Sequence, residues 1–110
     1  MSSTRLTQLM AFYETNPKDS FILFAMAKEH ENLGNTQNAL ELYLQIKGND
    51  PNYTGLYYHL GKLYEQMEEI NLAFSTYREG MEICQKVGDQ HAYSELAGAK
   101  LNLGDDDDFD

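Results

Sequence analysis

The feature that most constrains this chain is a spacing. Only two prolines occur, Pro17 and Pro51, and they lie 34 residues apart, each after an amide or acid (Asn16, Asp50) and each ahead of a stretch with helical period. A fixed interval of 20–50 residues marks a repeat architecture. The interval holds elsewhere. Leu23, Met26, Ala27 and His30 map onto Tyr57, Leu60, Gly61 and Tyr64, Ala39 maps onto Ala73, and Tyr43 onto Tyr77. The chain therefore reads as copies of one unit that buries its apolar face only by stacking on a neighbour.

Within a copy the elements are helices. Tyr57, Leu60, Gly61 and Tyr64 fall at i, i+3, i+4 and i+7, which puts them on one helical face. Asp19 and Asn52 stand where an N-cap accepts from orphan backbone N–H groups. Gly34, with Asn35, ends a helix where a left-handed residue needs no Cβ. Helices are expected near 4–15, 20–33, 37–48, 53–67, 70–87 and 90–103, with no strand. Connections of two to five residues make successive helices antiparallel. At 110 residues with 42% hydrophobic content, one domain over 1–103 buries roughly 65% of its unfolded surface.

These residues carry a family resemblance. Tyr57-x2-Leu60-Gly61-x2-Tyr64 followed by Ala73-x3-Tyr77 resembles the tetratricopeptide repeat, and Leu23-x2-Met26-Ala27-x2-His30, Ala39-x3-Tyr43 and Pro51 form a looser copy. The departures are His30 for the usual Tyr, Glu68 in the turn where Gly34 stands, and Gln85 where a third proline would fall. A slip of two restores the register at Tyr93-x2-Leu96-Ala97, so the helix at 70–87 should be about half a turn longer and Gly104 should fall like Gly34. The organisation expected is a half repeat at 4–17, repeats at 20–53 and 54–87, and a capping helix at 90–103. The resemblance implies an all-α, right-handed antiparallel helix-pair stack, a solenoid of about six helices.

The resemblance also sorts the residues. Leu23, Ala27, Ala39, Tyr43, Tyr57, Leu60, Gly61, Tyr64, Ala73 and Tyr77 are the packing positions, with Ala and Gly letting backbones approach and the larger side chains filling the gaps. The first helix of each repeat lines a concave face, which assigns Phe21, Phe24, Ala25, Lys28, Glu31 and Asn32, then Gly55, Tyr58, His59, Lys62, Glu65 and Gln66, to a peptide-binding groove. Phe24 recurs as Tyr58 and Lys28 as Lys62, a wall suited to a peptide with an apolar anchor and an acid. The competing reading is that each Lys pairs with its Glu at i+3, worth ~0.2–0.5 kcal/mol. Chaperone-tail members of the family clamp a carboxylate with Lys and Asn where this chain has Phe24, Lys28 and His59, so that ligand is not expected.

Charge and chemistry narrow the function. With 8 Lys+Arg against 18 Asp+Glu, net −10, the surface repels phosphate backbones and anionic membranes, so neither nucleic acid nor membrane is an expected partner. No phosphate loop or nucleophile elbow occurs, so no enzyme and no cofactor is expected. His30, His59 and His91 are not spaced as a ligand pair, and Cys84 has no nearby Cys or His, so no metal is expected either. A lone cysteine and a Met1–Met10 segment without an apolar run point to a cytoplasmic protein without a leader. The stretch 104–110, with five aspartates around Phe109, is expected to be a disordered acidic tail. It is either a solubilising extension or a ligand for Phe24, Tyr58, Lys28 and Lys62, from the same chain or from a neighbouring copy. The chain is read as a non-catalytic module that binds a protein or peptide in its groove. The alternative is a self-associating unit, a homodimer through its end helices. In a monomer Tyr93, Leu96 and Leu101 pack on the helix at 70–87.

Overall fold

The structure is a computed structural model and describes residues 3–105 and 108–109. Among these residues every long element is an α-helix and there is no strand. The helices are α1 (Thr4–Thr15), α2 (Ser20–Asn32), α3 (Thr36–Asn49), α4 (Gly55–Gln66), α5 (Ile70–Val87) and α6 (Gln90–Leu103). They fall into two compact units, Met1–Tyr53 with α1–α3 and Thr54–Asp110 with α4–α6.

In the first unit α2 packs against both α1 and α3. Ser3 caps α1 by accepting from the Leu6 N–H at 2.9 Å, and Asp19 caps α2 by accepting from the Ile22 N–H at 3.1 Å. Arg5 on α1 lies 3.6 Å from the Glu29 carboxylate on α2. Leu6, Leu23, Met26, Ala27, Ala39, Tyr43 and Ile46 are the buried side chains that hold the three helices together. Ser20 at the start of α2 donates to Asp50 at the end of α3 over 2.8 Å, which ties the pair across its open end.

In the second unit α5 packs against α4 and α6, and α4 also meets α6. Gly61 faces the Tyr77 ring so closely that a Cβ there would stand 2.2 Å from a ring carbon. A second such contact is Gly80 against Tyr57, where a Cβ would lie 2.5 Å from the Tyr57 Cβ. The repeat interval explains it. Leu23 and Ile46 of the first unit stand at the positions of Tyr57 and Gly80 in the second. One copy fills its core with two medium side chains and the other with one large and one absent, because total volume is what close packing conserves.

The tight helix–helix turns repeat as well. Asn35 N–H donates to the His30 carbonyl and Glu69 N–H to the Tyr64 carbonyl, each at 2.8 Å. Gly34 takes φ +80° to allow this, and Glu68 is forced to φ +62°. The same hydrogen-bond pattern thus sits on a glycine between α2 and α3 and on a strained side chain between α4 and α5, and it returns to a glycine, Gly88, between α5 and α6, where Asp89 N–H donates to the Cys84 carbonyl at 2.9 Å.

Four local expectations are corrected. The N-cap of α4 is Thr54 and not Asn52, and Thr54 makes no capping bond because its hydroxyl donates to Asp89 over 2.6 Å. Asp89 in turn caps α6 by accepting from the Ala92 N–H at 3.0 Å. Helix α5 has 18 residues against 14 in α3, so it is a full turn longer rather than half a turn, and Gly88 at φ +80° ends it. Gly104 ends α6 at φ +145°, outside the conformation of Gly34. Leu101 is 68% exposed. It follows Ala99 by two residues, ~200° around the helix, and so points away from the side on which Leu96 and Ala99 are buried.

Two stability outcomes follow from these contacts. Gly61→Ala should lower thermal stability by ~1–3 kcal/mol, because the Tyr77 ring is buried and cannot yield. Gly98→Ala on α6, where a Cβ would meet nothing within 4 Å, should raise it by ~0.5–1 kcal/mol through helix propensity alone. Circular-dichroism melts of the two variants should shift in opposite directions, and a shared direction would refute the packing. Glu68→Gly should stabilise the chain by ~1 kcal/mol by relieving the left-handed conformation, read as a raised denaturant midpoint with unchanged slope.

Candidate functional site

The residues of the first helices split by unit. On α2, Phe21 is 68% exposed, Asn32 is exposed, and Phe24 and Lys28 are half-buried. Ala25 is buried, which removes it from the expected groove set. The Phe24 ring is held by two others, tilted against Tyr43 at 5.9 Å and against Tyr53 at 5.7 Å between centroids. On α4, Tyr58, His59 and Lys62 are half-buried, and Gly55 and Gln66 are exposed. His59 meets the Tyr58 ring edge-on at 5.6 Å, and the Lys62 ammonium lies 5.4 Å from the same ring centre.

Glu31 and Glu65 have a role that the i+3 reading did not anticipate. The buried Tyr43 hydroxyl donates to Glu31, and the Tyr77 hydroxyl donates to Glu65. The pair recurs at the repeat interval because each tyrosine buries its ring in the core and needs one acceptor for its hydroxyl. Lys62 does pair with Glu65, at 3.7 Å. Burial first, and then the hydrogen bond to the neighbouring carboxylate, pushes both tyrosine pKa values far above the ordinary range. Among the packing residues, Leu23, Ala27, Ala39, Tyr43, Tyr57, Leu60, Ala73 and Tyr77 have no exposed surface, Gly61 is buried, and Tyr64 is half-exposed.

A cleft opens between α4 and α6. It has a volume of about 270 Å³ and is lined by Tyr58 and Lys62 on one side and by Ser94, Glu95, Gly98, Ala99 and Asn102 on the other. The α6 residues were absent from the sequence reading, although the signal existed. The slip of two that aligns Leu60 with Leu96 also carries Tyr58, Lys62 and Gln66 onto Ser94, Gly98 and Asn102. Small residues on α6 face larger ones on α4, which leaves an aromatic ring and an ammonium flanking open space.

The stretch after α6 departs from the expectation of a disordered tail where it is described. Phe109 stacks on Phe74 of α5, with ring centroids 4.0 Å apart and planes within 10°. Such a stacked pair is worth ~0.5–1.5 kcal/mol beyond the area it buries. The seat of Phe109 is therefore Phe74, and Tyr58 and Lys62 belong to a different cleft. Asp106, Asp107 and Asp110 lie outside the described residues.

Other chemistry is sparse among the described residues. No group of three or more His, Cys, Asp or Glu gathers, and no helix is long and apolar enough to cross a membrane. Cys84 is buried, and burial pushes its thiol up and away from the reactive thiolate. Asp89 is held below the usual carboxylate range by the Thr54 hydroxyl and then by the Ala92 N–H.

Antiparallel helix pairs that recur at a fixed interval, small-for-large exchange inside each pair and an α4–α6 cleft define a helical-repeat interaction scaffold. The chain belongs to the tetratricopeptide repeat family. A sequence model of that repeat matches residues 54–87. The crystal structure of a tetratricopeptide repeat domain protein from Salinibacter ruber is similar at 42% identity over 77% of this chain and 94% of that one, with a TM-score of 0.74. The solution structure of the Salinibacter ruber domain gives 42% identity over 79% and 88%, with a TM-score of 0.77. The MamA crystal structure shares the fold at 19% identity, 89% of this chain, 56% of that one and a TM-score of 0.68. No curated protein matches.

The buried tyrosines make stability sensitive to alkali. An unfolded tyrosine ionises near pH 10, while Tyr43 and Tyr77 stay neutral when folded. Their contribution is therefore whole below about pH 10 and is lost as pH rises beyond it. Tyr77→Phe should cost ~1.5–3 kcal/mol at neutral pH, the value of a hydrogen bond to a charged acceptor. It should also flatten the fall above pH 10, measured by urea unfolding between pH 7 and 11.

Proposed function

We propose that this chain is a non-catalytic adaptor that binds an extended or helical segment of another protein on the first helices of its repeats. The observation that carries this reading is the α4–α6 cleft, where Tyr58 offers a ring face, Lys62 an ammonium, and Ser94, Gly98 and Asn102 leave the floor open. An apolar or aromatic anchor followed by a carboxylate matches those two groups, since a cation held against an aromatic face attracts an anion while the ring takes apolar surface. Glu95 on the opposite wall favours a segment that also carries a donor. His59 and Gln66 extend the same face of α4. In the first unit the same register assigns Phe21, Phe24, Lys28 and Asn32 to the partner-facing side of α2. Membership in a family of generally non-catalytic interaction scaffolds supports the class of function. The setting we infer is cytoplasmic, where the lone Cys84 remains a thiol.

Peptide display tests this reading. A random library is panned on the wild-type chain and on Gly98→Leu, whose added side chain enters the cleft where a Cβ has no neighbour within 4 Å. Selected peptides should carry an aromatic or aliphatic anchor near an acid, and should bind Gly98→Leu and Lys62→Gln at least ten-fold more weakly with helicity unchanged. Peptides that bind all three chains equally would move the site off α4 and α6.

A further inference from the structure

A second surface, on α5 and α6, is covered by the chain's own Phe109. Phe74 keeps only 2% of its surface exposed, and the ring stacked on it is Phe109. Two cations flank the same ring. The Lys100 ammonium from α6 lies 5.0 Å from the Phe74 centroid, and the Arg78 guanidinium, one turn along α5, lies at 5.6 Å. The segment that supplies Phe109 is acidic, with Asp105 to Asp108 before it and Asp110 after it.

The described part of the segment is built to present its aromatic. Asp105 N–H donates to the Asp108 carboxylate at 2.9 Å, and Asp108 N–H donates back to the Asp105 carbonyl at 2.9 Å. A Cβ on Gly104, at φ +145°, would stand 2.8 Å from the Asp108 carboxylate and 3.3 Å from the Phe109 ring, so this turn requires glycine. Beside the stacked rings a cleft of about 160 Å³ remains, lined by Asn71, Phe74, Ser75, Asp108 and Phe109. The segment seats one ring and leaves polar room next to it.

We propose that the Phe74–Arg78–Lys100 face is a binding site for acidic protein segments bearing one aromatic side chain, and that the chain's own C-terminal segment is its resident, displaceable occupant. The chemistry of the ligand is set by the receptor. Phe74 offers a flat ring for stacking, the two cations select carboxylates beside it, and Asn71 and Ser75 offer hydrogen bonds in the unfilled cleft. Tethering gives the resident segment an effective concentration in the millimolar range, so a segment in trans meets an occupied site. Loss of the resident ring opens it. This site is separate from the α4–α6 cleft, and its test does not depend on that reading.

The probe is a fluorescein-labelled peptide, Gly-Asp-Asp-Asp-Asp-Phe-Asp, titrated by anisotropy into full-length chains. It should bind the Phe109→Ala chain at least ten-fold more tightly than the wild type, and amide resonances of Asn71, Phe74 and Ser75 should shift on binding. In the Phe109→Ala background, Arg78→Glu and Lys100→Glu should each weaken binding at least ten-fold, and a peptide with alanine in place of phenylalanine should not bind. Both charge reversals lie at the rim of the site, so far-ultraviolet circular dichroism should show them folded. Equal affinity for the wild-type and Phe109→Ala chains would overturn the proposal. So would indifference to either charge reversal, or absence of binding to the Phe109→Ala chain at millimolar peptide.

Discussion

The close approach of Gly61 to the Tyr77 ring is the contact on which the second unit depends. It lets α4 and α5 come near enough for the Tyr77 hydroxyl to reach past the core to Glu65. That bond removes a buried orphan hydroxyl, which would otherwise cost a desolvation penalty of ~1–3 kcal/mol. It also fixes Glu65, which pairs with Lys62, whose ammonium lies over the Tyr58 ring. A packing decision in the core is thereby transmitted to the residues that line the α4–α6 cleft. In the first unit Ala27 and Tyr43 play the corresponding parts, with Glu31 as acceptor.

The units diverge where packing leaves a choice. The exchange of Leu23 and Ile46 for Tyr57 and Gly80 keeps core volume while moving bulk from one helix to the other. Phe24 turns toward Tyr43 and Tyr53, since a third ring is present there to hold it. Tyr58 has Val87 rather than a tyrosine at the position that follows Tyr53 by the repeat interval, and its ring is met instead by His59 and Lys62. Two residues aligned by register thus present different surfaces, one engaged with its own unit and the other lining open space.

The helices were legible because their signals are local. Period, N-caps and turn glycines each act within a few residues, so the ends of α1, α5 and α6 match the sequence reading and the others differ by one or two residues. The family was legible because spacing and small residues agree twice. What escaped were the features settled by long-range pairing. Thr54 gives up its capping role because its hydroxyl finds Asp89, which is 35 residues away. Glu31 and Glu65 looked like partners of lysine, since an i+3 spacing is visible in sequence and a tyrosine on the next helix is not. The α6 half of the cleft was hidden by the change of register after α5, and Phe109 by the assumption that a run of aspartates decides the fate of its neighbour.

Charge ties the two surfaces together. Of the eight basic side chains in an acidic chain, three lie against aromatic faces of the second unit, Lys62 on Tyr58 and Arg78 and Lys100 on Phe74. Beyond a Debye length of ~8 Å at physiological salt the net charge is screened, so an acidic segment that reaches either surface responds to these local cations and not to the whole molecule. At low ionic strength, where the Debye length grows to ~30 Å, the net charge of −10 works against the approach of the same segment. An anionic ligand without an aromatic or apolar group meets that barrier and gains little from cations that remain solvated. A ligand that also stacks a ring gains dispersion and apolar burial that salt does not screen. On the proposed reading, the combination of an acidic surface with cation-flanked rings therefore favours mixed acidic–aromatic segments over purely acidic ones. Phe109, set among aspartates and seated on Phe74, is the chain's own example of that selection.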